Sequence, residues 1–172
     1  IFPLEGYGHK SIGGTNGSGY ISKGYDYFDG NRHGGHPAHD IFIVDKNQDE
    51  LDDGTLKPVN VIAMKSGVVI ACANEWYVGS ELRGGKYVYV FEPITNSLIY
   101  YAHNREILVK PGDVVNAGTV LATVGRSGKS ANASRSPTHL HIMRLVFDDG
   151  QLKPDDLYQA LLKARSAPKA KS

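Results

Sequence analysis

The run "THLHIMRLVF", Thr138–Phe147, sets two histidines one residue apart and then continues in apolar residues. Read as a strand, its side chains alternate between two faces. His139 and His141 then point one way, while Leu140 and Ile142 point the other. Two imidazoles aligned on one face are either a solvated surface or part of a site. The rest of the chain decides what sheet this strand joins and what the histidines do.

Upstream lie further short apolar runs: "DIFIV" (40–44), "VNVIAM" (59–64), "GVVIACA" (67–73), "KYVYVFEP" (86–93), "SLIYYAH" (97–103) and "TVLATVG" (119–125). Turn residues such as "KSG", "RGG", "ITNS" and "KPGD" punctuate them. Regular short strands with turn signals predict an all-β fold, a sandwich or a barrel. Twenty glycines, and ten tyrosines against five phenylalanines, lean the same way. "KPVNVIAMKSGVVIAC" (57–72) and "KPGDVVNAGTVLATVG" (110–125) echo each other as strand, glycine turn and strand. Such an echo fits a sandwich built from two similar hairpin halves.

The chain ends differ from this middle. Residues 1–35 are broken up by glycine and read as loop, with short strands near "YIS" (20–22) and "YDYF" (25–28). "DKNQDELDDGT" (45–55) reads as a surface loop or one helical turn. "KPDDLYQALLKAR" (153–165) carries Leu157, Leu161 and Ala164 on one helical face, with Pro154 and two aspartates suited to a first turn. The expectation is one domain over 1–165 and a disordered tail over 166–172.

The 172 residues suffice for one well-cored domain. Nineteen basic and eighteen acidic residues leave a net charge of +1, which argues against a nucleic-acid partner. The single cysteine, Cys72, excludes an internal disulfide and reads as a small core hydrophobe. No apolar run is long enough to span a bilayer. The chain begins at Ile1, so it reads as a mature or trimmed fragment, and any export signal would lie outside it.

Seven histidines are spread over the chain, and their placement matters more than their count: His9, His33, His36, His39, His103, His139 and His141. In "HGGHPAHD" (33–40), His36 and Asp40 are four apart, a spacing that shares one side of a strand or of a helix. Zinc favours imidazole nitrogen and carboxylate oxygen, and a catalytic site keeps one position open for water. One loop-and-strand His and Asp, joined by a downstream His, supply three ligands. Further histidines can move protons. Histidine clusters in glycine loops are also often idle, so spacing alone leaves both readings open.

"HPAHD" with the later "HLH" resembles the paired H-x-x-x-D and H-x-H signature of the lysostaphin-like, LytM-type zinc endopeptidases. "FPLEG" (2–6) is similar to that family's opening strand, and Tyr100–Ile142 follows its order of segments. "GQLKPDDLY" (150–158) resembles its closing segment. The resemblance implies an antiparallel β-sandwich of the duplicated hybrid, barrel-sandwich type, with long loops and a short C-terminal helix. It implies one Zn2+ per chain held by His36, Asp40 and His141, with His103 and His139 as catalytic non-ligand histidines. It implies a monomeric, extracytoplasmic peptidoglycan hydrolase acting on stem-peptide or cross-bridge bonds. Ala38 and His39 depart from the family pattern, which leaves His39 as a rival ligand; adjacency to Asp40 in an extended chain favours His36. His33 reads as a cleft-rim residue and His9 as surface. The Gly-rich segment 1–35 flanks the cleft and is placed to wall or cover it.

Competing readings are a non-catalytic or latent module of the same fold that binds cell wall or regulates another hydrolase, and a carrier domain. "VKPGDVVNAGTVLATVG" (109–125) also resembles lipoyl and biotinyl domains, but those need a lysine at the hairpin tip, where this chain has Asn116. The calcium-loop spacing at Asp45, Asn47 and Asp49 fails at Glu50 and Leu56. "GRSGKSANASRS" (125–136) lacks P-loop glycine spacing and reads as a loop bordering the cleft. Trp76, Tyr77 and the other tyrosines read mainly as core or edge residues.

Overall fold

Alternating apolar residues fix nine strands among the described residues of the computed structural model, which are 1–28 and 34–167. They are β1 (His39–Phe42), β2 (Asn60–Ile62), β3 (Gly67–Ala73), β4 (Lys86–Glu92), β5 (Ser97–Ile107), β6 (Val114–Val115), β7 (Val120–Val124), β8 (His139–Asp148) and β9 (Gln151–Asp155). One short helix, α1 (Tyr158–Lys163), follows. All strand pairs are antiparallel and form one sheet that does not close into a barrel. Its main path runs β1-β8-β5-β4-β3-β6, with β7 joining β5 to β2 and β9 joining β8.

The sequence echo has a structural meaning. β2 pairs with β7 and β3 pairs with β6, so each strand of one hairpin unit pairs with the opposite strand of the other. The two units interlock rather than stack as separate hairpins. Their turns touch, with Ala117 N–H donating to Ser66 Oγ at 2.9 Å and Gly118 N–H to the Ala63 carbonyl at 2.8 Å.

The alternation in β8 divides the sheet as its sequence predicts. Leu140 and Ile142 enter the main core with Ile41, Ile99, Tyr101, Val88 and Val90. Leu157 and Leu161 at the helix close that core from below and are fully buried. Burying a leucine side chain contributes about 2 kcal/mol, so the short helix is held by packing rather than by its own propensity. The opposite face carries a smaller cluster of Leu98, Met143 and Leu145 with Tyr25, Tyr27, Tyr89 and Tyr100. Cys72 packs half-buried at the edge of the main core.

Three expectations differ from the structure. "SLIYYAH" does not end at His103, because β5 exchanges β8 for β7 as its neighbour and continues to Ile107. Pro154 does not open the helix; it lies in β9, which among the described residues pairs only with β8. A proline is tolerated there because an outer strand does not need its N–H on the open side. The stretches "YIS" and "YDYF" form no strand, apart from an isolated bridge between Ile21 and His36. Gly6 N–H donates to the Ala167 carbonyl at 3.3 Å, and the tail beyond Ala167 lies outside the described residues.

Candidate metal and catalytic site

Register places the first pair of functional side chains. β8 lies between β1 and β5, and His141 stands opposite Asp40 on one side and Ala102 on the other. Paired residues share a face, so Asp40 and His141 meet although 101 residues separate them. Asp40 Oδ1 lies 3.0 Å from His141 Nδ1 and 3.2 Å from His36 Nε2. His36, Asp40 and His141 each offer one atom that could hold a metal ion, and these atoms all fall within 4.8 Å of one another.

The hydrogen bonds assign the nitrogens. His36 Nδ1 donates to the Gly19 carbonyl at 2.8 Å, since a carbonyl can only accept. In the neutral ring, Nε2 is then a lone pair facing the Asp40 carboxylate. Two acceptors at 3.2 Å require a cation between them, either a proton or a metal. The carboxylate accordingly raises the His36 pKa, chiefly through this hydrogen bond. Burial works to raise the Asp40 pKa, but contacts with His141 and His36 outweigh it and hold the carboxyl well below its usual range. Two imidazole nitrogens and one carboxylate oxygen, so disposed, fit a zinc ion with an open position.

His139 and His103 complete the cluster without joining the ligand set. His139 Nδ1 donates to the Pro137 carbonyl at 2.7 Å, leaving Nε2 3.7 Å from Asp40 Oδ1. His103 Nδ1 donates to the Ser127 carbonyl at 2.8 Å. The His103 ring lies 5.0 Å from that of His139 and 5.4 Å from that of His141. Burial lowers the His103 pKa to about 3, and the neighbouring His141 and His139 add to the effect. It is therefore a neutral imidazole whose Nε2 carries a lone pair.

His39 is no ligand in this geometry. It lies on the core face of β1, 1% exposed, with Nε2 2.7 Å from Asp156 Oδ1 and its ring against Tyr20 and Tyr158. β1 and β9 follow each other along the same edge of β8, which brings Asp156 to it. His9 is exposed in a short 3-10 turn, and His33 lies outside the described residues.

The site opens into a cavity of about 390 Å³ whose walls include Tyr25, Tyr27, Tyr89, Tyr100 and Arg83. Burial pushes the phenols of Tyr89 and Tyr100 up, so both stay protonated. These tyrosines, rather than Trp76 or Tyr77, form the aromatic wall; Tyr77 is 73% exposed elsewhere. The carbonyls of Gly19, Ser127 and Pro137 leave no mark in the sequence.

Peptidase family M23 matches residues 51–153, and the chain belongs to that family. The matched span contains His103, His139 and His141, while His36 and Asp40 precede it. Similar solved structures include a protein from Ruminococcus gnavus described as a candidate glycyl-glycine endopeptidase LytM, at 22% identity and a TM-score of 0.63, covering 99% of this chain and 63% of that one. The catalytic domain of the antimicrobial peptidase lysostaphin from Staphylococcus simulans is 23% identical with a TM-score of 0.54, covering 85% of this chain and 94% of that one. A zinc-containing peptidase from Vibrio cholerae is 19% identical with a TM-score of 0.54, covering 96% of this chain and 39% of that one. At these identities the likeness is one of fold. Among curated proteins none matches. No helix among the described residues is long and apolar enough to cross a membrane.

Proposed function

We propose that residues 1–165 form one peptidase domain, a zinc-dependent endopeptidase that hydrolyses peptide bonds in bacterial peptidoglycan, as a monomer outside the cytoplasm. Membership of peptidase family M23 supports the reaction class. The observation that carries the metal is the confrontation of His36 Nε2 and Asp40 Oδ1 at 3.2 Å, with His141 Nδ1 3.0 Å from the same oxygen. His36, Asp40 and His141 would hold one zinc ion, which when bound would supply Lewis acidity toward a peptide carbonyl and toward water.

The chain's own groups do the rest. His139 Nε2, next to the ligand set, accepts the proton of the attacking water and returns it to the leaving amine. His103 Nε2, kept neutral by burial, accepts a hydrogen bond that orients that water. The protonated phenols of the tyrosine wall offer hydrogen-bond donors to a peptide backbone. The binding-only alternative gains nothing from this geometry, because all five positions are filled and converge.

The decisive experiment combines metal analysis with mass spectrometry of fragments released from purified cell wall by the wild type and by His139→Ala. New amino termini from the wild type alone, with about one zinc per chain, support the reading. A folded, zinc-loaded wild type that releases nothing overturns it.

A further inference from the structure

The Gly-rich segment before His36 does more than flank the cleft. Residues 12–24 run as a strap along the edge of β1 that β8 leaves open. Ile12 bridges to Ile41, and Gly13 N–H donates to the Asp40 carbonyl at 2.8 Å. Further along, Ile21 N–H donates to the His36 carbonyl at 2.8 Å and His36 N–H donates back to the Ile21 carbonyl at 2.7 Å. Between these anchors the Gly19 carbonyl accepts from His36 Nδ1 at 2.8 Å.

Close approach explains the glycines. Gly17 sits at φ +79 with an added Cβ only 2.8 Å from the Tyr158 ring, so the strap lies directly on the start of α1. Gly35 sits at φ +78, and a Cβ there would meet the carbonyls of Ile21 and Lys23 at 2.6 Å. The strap is thus packed against the domain on both sides of its contact with His36, and it leads straight into the tyrosine wall at Tyr25 and Tyr27.

We infer that the strap 12–24 is a positioning element of the metal site rather than a removable cover: the Gly19 carbonyl selects Nε2 as the coordinating nitrogen of His36, and the Ile21–His36 pairing holds the ring in place. This rests on the reading of His36 as a ligand. Without the carbonyl, the ring exchanges tautomers and presents its lone pair to the site only part of the time. Groups that orient ligating histidines in this way govern metal affinity by about 10–100-fold.

The test measures zinc affinity by chelator competition on the whole chain, together with the imidazole nitrogen and proton NMR signals of His36. Ile21→Pro removes one strap hydrogen bond at a half-exposed side chain, and Gly17→Ala disturbs the strap at Tyr158. Gly112→Ala, also at positive φ but facing open space, is the matched control. Affinity lower by about 10-fold or more in both variants, with loss of the His36 Nδ1–H signal and an unchanged control, is the expected result. Wild-type affinity in both variants overturns the inference and leaves the proposed function standing. A wild type that binds no zinc overturns the metal reading itself. Should a variant fail to fold, the wild type still decides, because zinc-bound His36 carrying its proton on Nε2 contradicts the inference outright.

Discussion

His103 reaches the ring of His139 because β5 carries one residue more than its partner. Between the pairs Tyr101↔Val88 and Asn104↔Lys86, β5 advances three residues while β4 advances two. His103 takes φ +64 at this bulge. Plain alternation would put it on the core face with Tyr101; the bulge turns it to the site face. Left-handed backbone is less costly for His than for branched residues, but it still needs surrounding contacts to hold it. The Ser127 carbonyl and the close approach of Gly128 provide them, since an added Cβ at Gly128 would lie 2.6 Å from His103 Nδ1.

Gly128→Ala is therefore expected to displace His103 while sparing the ligand set. Wall-fragment release should fall by roughly 100-fold, because water no longer oriented by His103 presents its proton poorly to His139, with zinc content retained. Parallel metal analysis and mass spectrometry check this. Full activity in the variant would show that the His103 position is unimportant.

This bulge marks the boundary of what the sequence discloses. Period-two alternation alone separated His139 and His141 from Leu140 and Ile142, and placed Asp40 apart from His39. Those side chains sit in regular strands, where parity decides direction. His103 sits at a bulge, so parity fails for it. The end of β5, the edge strand bearing Pro154, and the crossed pairing of the two hairpin units depend on which strands become neighbours. That is a tertiary matter with no local signature. The carbonyls of Gly19, Ser127 and Pro137 belong to the backbone, and the sequence does not distinguish one carbonyl from another.

The two histidines of β8 are expected to respond differently. His141 brings Nδ1 to 3.0 Å from Asp40 Oδ1 in the candidate ligand cluster, whereas His139 ties its own Nδ1 to the Pro137 carbonyl and stands 3.7 Å from Asp40. His141→Ala should lose both zinc and activity. His139→Ala should retain most zinc and lose activity by about 10²–10⁴-fold. Metal content and fragment release on the same preparations check the asymmetry, and equal zinc loss would reverse the assignment.

His103 also predicts a pH dependence of stability in the metal-free protein. Its pKa falls from 6.5 to about 3 on folding, first through burial and then through His141 and His139. Above pH 6.5 the ring is neutral in both folded and unfolded chains, and its contribution is fully present. As pH falls from 6.5 towards 3, the unfolded chain takes up the proton first and the folded state loses stability. Urea denaturation across this window should show a shallower decline for His103→Gln than for the wild type. Parallel declines would mean that the ring is not held neutral.

The loop leading into β8 is held by a buried cation, and this gives the last prediction. The Arg126 guanidinium, 7% exposed, donates to the Ser136 carbonyl at 2.6 Å, the Ala133 carbonyl at 2.9 Å and Thr138 Oγ1 at 3.2 Å. Thr138 in turn donates to Asp45 Oδ2 at 2.5 Å, and Asp45 accepts the backbone N–H groups of Asp49 and Glu50. The acidic stretch after β1 is thus a clamp on the approach to the H-x-H strand. Arg126→Ala leaves two carbonyls and a hydroxyl without this donor and should cost about 2–4 kcal/mol. Urea unfolding measures the loss directly. Because the clamp also sets where β8 begins, the folded variant should release wall fragments more slowly while retaining its zinc, and a variant with unchanged stability would show that the guanidinium is not needed there.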